Sequence, residues 1–197
     1  MKNWKKNINW KNCFKENARK RDRRKKICIQ LNWVIKLKEK IYNRQKCLEY
    51  ANQWALSRNP AYYDYEKIGG DCTNFASQCI FAGSGVMNYN SWYYKNGNNK
   101  SPSWTGVEFL YNFLVNNKGV GPHGMEVLQN QIQVGDLVQL SSNGQRFTHS
   151  LIIVDIGNVN YLSDILIATH TYDALRRPLV TYDFEKIRFV HIDKIYE

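Results

Sequence analysis

The apolar residues of this chain change their spacing once, and that change fixes the fold class. Between residues 41 and 115 they recur every three or four positions, whereas beyond residue 124 they alternate. The first spacing buries one face of a helix and the second one face of a strand. Helices first and antiparallel strands second predict an α+β fold. Helices are expected over residues 41–56, 71–81 and 105–115, and strands over 136–140, 150–156, 165–169 and 187–192. Asn59-Pro60 ends the first helix, because the residue before proline is pushed out of the helical region. Asp71 suits the N-cap of the second helix and Gly83 its exit. Residues 119–124 and Arg176-Arg177-Pro178 read as loop and turn.

Charge separates an arm from a body. Residues 1–46 hold 17 Lys and Arg against three acids (Glu16, Asp22 and Glu39), and the remaining chain carries 11 bases against 14 acids. The net charge of +11 therefore describes an N-terminal arm, and nucleic-acid binding by the whole chain does not follow from it. The expected division is a basic arm over 1–40 and one catalytic-size domain over 41–197. The arm could attract a polyanion such as teichoic acid, anionic lipid or nucleic acid. No stretch approaches the roughly 20 apolar residues a bilayer-spanning helix requires. The apolar run at 27–37 is broken by Gln30, Asn32 and Lys36, with no small-residue cleavage site after it. It is not read as a signal peptide, which leaves location open among cytoplasmic, released and envelope-associated.

Five cysteines (13, 28, 47, 72 and 79) cannot all pair with one another and include no CxxC, so they read as free thiols. Cys72 follows Gly69-Gly70-Asp71 at the expected first turn of a helix, where the positive end of the helix lowers a thiol pKa. Asp71 acts against this, so a basic partner is needed. Cys79, seven residues on, reads as core. His149 opens a strand. A turn centred on Val159-Asn160 sets it directly across from His170, with Cβ atoms roughly 4.5–5.5 Å apart, close enough for one imidazole to hold the other; a one-residue slip would throw His170 to the opposite face. Asp173 is the other candidate orienter. His123 and His191 read as structural. The aromatic loops offer Tyr65, Trp92 and Trp104 as a substrate cleft or as caps on the core.

The segments GGDCTNFASQC (69–79), VGDLVQL (134–140), THSLIIV (148–154) and ATHTYD (168–173) resemble the putative amidase domain family of Gram-positive bacteria. That family is grouped with papain-like cysteine hydrolases, near the NlpC-type and CHAP cell-wall amidases, and the likeness covers roughly residues 41–197. The resemblance implies a helix-borne nucleophile packed on an antiparallel sheet that supplies the base. Cys72 would be the nucleophile and backbone oxyanion donor, His149 the general base and acid, and His170 the orienting residue. The expected function is hydrolysis of an amide or peptide bond, with peptidoglycan as the expected substrate, through a thioester, by a monomer and with no metal or cofactor. The competing expectation is a non-catalytic papain-like module whose arm recognises a polyanion.

Overall fold

Asn43 starts the first helix by accepting the N–H of Lys46 at its side-chain oxygen, 2.9 Å away, which satisfies one of the amides a helix start leaves unpaired. In the computed structural model, which describes residues 37–197, this helix α1 spans Arg44–Trp54 and buries Cys47 and Ala51. α2 runs over Cys72–Ser84 and ends on Gly85, whose φ of +66° suits a residue without a Cβ. The stop is thus two residues later than the sequence suggests. Gly83 is needed within the helix instead, because a Cβ there would stand 2.3 Å from the Tyr42 ring. A short turn of helix α3 (Pro102–Thr105) precedes α4 (Val107–Asn116).

The sheet has seven strands: β1 (Glu39–Lys40), β4 (Gly121–Val127), β5 (Leu137–Ser141), β6 (His149–Ile156), β7 (Ile165–Thr169), β8 (Ala174–Pro178) and β9 (Lys186–Tyr196). A separate hairpin joins β2 (Tyr94–Asn96) to β3 (Asn99–Lys100). In the main sheet the order β9-β5-β6-β7-β8 is antiparallel throughout, with β4 and β1 also paired to β9. The α+β reading therefore holds. Five strands lie outside that reading: β1, β2 and β3, which are only two or three residues long, and β4 and β8. β4 and β8 carry Gly121, Pro122 and Gly124, or Arg176, Arg177 and Pro178, and such residues signal turns unless a neighbouring strand captures them.

Both faces of the sheet are covered. Leu137, Ile152, Val154, Ala168, Val190 and Ile192 face the helices and pack with Phe75, Cys79 and Ala51. Val138, Leu140, Leu151, Ile153, Ile165 and Ile167 face the other way, onto Leu179 and its neighbours. The basic arm, up to residue 36, lies outside the described residues, and so does the polyanion it could bind. Glu39 and Lys40 already pair with Tyr196 and Ile195.

Candidate active site

Cys72 is the first residue of α2, and Asp71 precedes it at the N-cap position. Asp71 does not cap the helix with its side chain. Its carboxylate turns back into the preceding loop and accepts the Tyr65 N–H (3.0 Å), an Asn74 amide N–H (2.8 Å) and His170 Nδ1 (2.6 Å). The Cys72 N–H takes no acceptor among the described residues and remains an available donor at the positive end of the helix.

The loop before the cysteine is tied down by the turn between β7 and β8. Arg58 forms a two-pronged pair with Asp173 (2.8 and 3.0 Å) and lies within ion-pair range of Asp64, Glu66 and Asp71. Thr171 sits just beyond β7 at a φ of +60°, strained for a β-branched residue. Its hydroxyl accepts the Asp71 N–H at 2.8 Å, and its N–H donates to Glu66. These bonds clamp the segment leading into Cys72 against the turn after β7.

The sulfur of Cys72 meets the start of β6. The Thr73 hydroxyl lies 3.8 Å away, and the backbone N–H of Ser150, the residue directly after His149, also acts to lower the thiol pKa. Thr73 Oγ1 is in turn 3.0 Å from Ser150 Oγ. These donors favour a thiolate, but burial outweighs them and pushes the thiol up from its ordinary value. The expected lowering by the helix start is therefore overturned by desolvation. His149 moves the other way. Burial, with the Arg177 charge adding to it, holds its imidazole down at about 4. Near neutral pH the site rests as a neutral thiol and a neutral imidazole.

His170 does not stand across from His149. The ladder pairs Ile156 with Ile165 and Asp155 with Leu166, then shifts at a bulge so that Ile153 pairs with Ile167 and Ile152 with Ala168. Continued, that register sets His170 level with Ser150, on the helix face. There it stacks on Phe75 at 4.1 Å and uses both ring nitrogens, Nδ1 toward Asp71 and Nε2 on the Trp54 carbonyl at 2.9 Å. His149 shares its face with Leu151 and Ile153, and its ring lies 5.8 Å from that of Tyr182. The orienting role expected of His170 is thus spent on fixing Asp71, and Asp173 is held by Arg58.

Trp92 and Trp104 are fully buried in the core, donating to Ser77 Oγ and Asn74 Oδ1, so they are caps on the core and not a substrate surface. Tyr65 does line a cavity of about 610 Å³, with Gly69, Gly70, Lys100 and Thr105. Its hydroxyl donates to the Gly97 carbonyl, and Lys100 Nζ lies 4.6 Å over its ring. Two residues after Thr105, the Val107 carbonyl accepts from Gln139, which also donates to Ser150. The cavity rim is therefore tied at both ends to the neighbours of Cys72. A slightly larger cavity of about 660 Å³, beside Asn88, Phe109 and Asn112, touches none of these residues.

Cys79 is buried in the core as expected. His191 belongs to a structural cluster with Asp136 (2.8 Å) and Arg44, and His123 bonds the Gly119 carbonyl. The sequence reading missed the Ser150 N–H and Tyr182, because a backbone donor has no residue signature and residue 182 comes into contact only through the fold.

The family model described as "Putative amidase domain" matches residues 41–192. The chain belongs to this family. It is also similar to the uncharacterized protein YhbB of Bacillus subtilis (strain 168), 32% identical over 144 residues. That alignment takes in 69% of this chain and 43% of the relative, so the chain spans less than half of the protein it resembles. No solved structure matches. Family membership indicates a hydrolase acting on amide C–N bonds.

Proposed function

We propose that this amidase-family domain is a cysteine hydrolase of papain-like design, with Cys72 as nucleophile and His149 as general base and acid. The observation that carries this reading is the contact between the start of α2, which bears Cys72, and the start of β6, which bears His149, made by Thr73 Oγ1 and Ser150 Oγ at 3.0 Å. In the forward step His149 takes the thiol proton while the sulfur adds to the amide carbonyl carbon. The carbonyl oxygen becomes an oxyanion, which the free Cys72 N–H can hold. The imidazolium then returns its proton to the leaving nitrogen as the C–N bond breaks, leaving a thioester on Cys72. His149 next deprotonates water, the hydroxide adds to the thioester, and the thiolate leaves and is reprotonated.

The neutral resting pair suits this scheme, since the base needs an unprotonated ring nitrogen with its lone pair available and the proton need move only when substrate is in place. The cavity beside Gly69-Gly70 would receive one side of the substrate, and Gly69 leaves open space where a Cβ would stand. Peptide bonds of peptidoglycan stems are the first substrates to test. Purified wall material digested by the protein and analysed by mass spectrometry identifies the bond cut. Cys72→Ala should abolish that cleavage while leaving the far-ultraviolet circular dichroism spectrum unchanged. Full activity in the variant would remove Cys72 from the mechanism.

A further inference from the structure

Among the described residues, three buried side-chain nitrogen or oxygen atoms have no hydrogen-bond partner: Arg58 Nε, His149 Nε2 and Tyr182 Oη. Arg58 Nε still faces the carboxylates of Asp64 and Asp71. The other two belong to rings in contact, tilted 40° with centroids 5.8 Å apart. A buried polar atom without a partner is costly, and native structures rarely leave one. Here the two atoms are complementary, because a phenol oxygen can accept from an imidazole N–H or donate to its lone pair. A hydrogen bond between them would satisfy both at once.

We propose that Tyr182 is the positioning residue for His149, accepting a hydrogen bond from Nε2–H and so keeping the lone pair of Nδ1 free for the Cys72 proton. The inference rests on the cysteine-hydrolase reading above and supplies the group that His170 cannot be. Tyr182 is well placed to hold an imidazole still. Its N–H donates to the carbonyl of the fully buried Leu179, and the Arg177 guanidinium lies over its ring at 4.1 Å. Arg177 is itself fixed by bonds to the Thr181 hydroxyl (2.7 Å) and carbonyl (2.9 Å). The ring of residue 182 is thus flanked by Arg177 and His149.

A phenol also differs from the carboxylate that orients histidine in many triads. As the acceptor of the Nε2–H it orients the ring without adding negative charge beside it. Arg177 on β8 is the charged group acting on His149, and it disfavours the imidazolium. Tyr182 and Arg177 together thus describe an imidazole aligned as the Nε2–H tautomer but left neutral, in keeping with a resting thiol and imidazole.

The test is Tyr182→Phe in the full chain, which keeps the ring against Arg177 and removes only the hydroxyl. Two-bond nitrogen–proton NMR, with the His149 signal assigned by comparison with His149→Gln, should show Nε2–H as the dominant tautomer in the natural protein and a mixture in Tyr182→Phe. On a peptide substrate the variant should lose about 10- to 100-fold in kcat with KM nearly unchanged, a share of the 10²–10⁴-fold that a positioned acid–base group contributes. An unchanged tautomer would overturn the hydrogen bond, and a changed tautomer with undiminished kcat would overturn its catalytic role. The NMR result is independent of activity, so a failure of the cysteine-hydrolase reading, seen as no cleavage by the natural protein, is told apart from a failure of the Tyr182 contact.

Discussion

Acidification should destabilise this protein through His149 before most carboxylates respond. Folding lowers the imidazole from 6.5 to about 4, because the ring is largely buried and Arg177 lies nearby. Between those values the unfolded chain binds a proton that the native chain does not, so native stability falls as pH falls through that window. The depression corresponds to about 3 kcal/mol in full, of which about 2.5 kcal/mol should be lost by a pH of roughly 4.5. Above pH 6.5 the contribution is complete, and below 4 the native state also takes up the proton and the loss levels off. Other groups titrate in the same range, so the measurement is a difference. Urea unfolding followed by tryptophan fluorescence, repeated across this pH range, compares the natural chain with His149→Gln. The glutamine removes the titration while keeping a polar side chain of similar reach. The natural protein should lose the extra stability on acidification and the variant should not. Parallel pH curves for the two proteins would refute the reasoning, since they would mean that the ring is solvated and not desolvated in the native state.

Burial of the Cys72 sulfur predicts slow alkylation by iodoacetamide near neutral pH, rising without a plateau through pH 9. Mass-spectrometric counting of modified Cys72 checks this, and saturation below pH 8 would show an activated thiolate instead. At Gly83 an alanine would put its Cβ 2.3 Å from the Tyr42 ring and 3.0 Å from the Asn43 carbonyl, so Gly83→Ala should cost about 1–3 kcal/mol by overpacking. A thermal melt reads that loss, and an unchanged midpoint would mean that α1 and α2 can separate freely.

Much of this architecture was legible from local pattern. α1, α2 and α4 lie where the apolar spacing puts them, and β5, β6, β7 and β9 follow from the alternation after residue 124. The position of Cys72 at a helix start was equally plain, since two glycines and an aspartate before an apolar stripe leave few other conformations. Strands β4 and β8 were hidden, because their glycine, proline and arginine residues form strands only when β9 or β7 supplies the hydrogen bonds.

What the sequence determined by itself, then, was which segments are helix or strand and where the nucleophile candidate stands, because both depend on residues within a few positions of each other. The tertiary structure decided which side chains meet. A single bulge between Ile153 and Asp155 shifts the β6–β7 register by one, and an unbulged ladder would have put His170 on the same face as His149. Because strand side chains alternate with a period of two, that one residue is enough to send His170 to Asp71 and leave Tyr182 beside His149. Desolvation is likewise a property of the whole packed chain, and it reverses the sign of the Cys72 shift that the helix start alone would give.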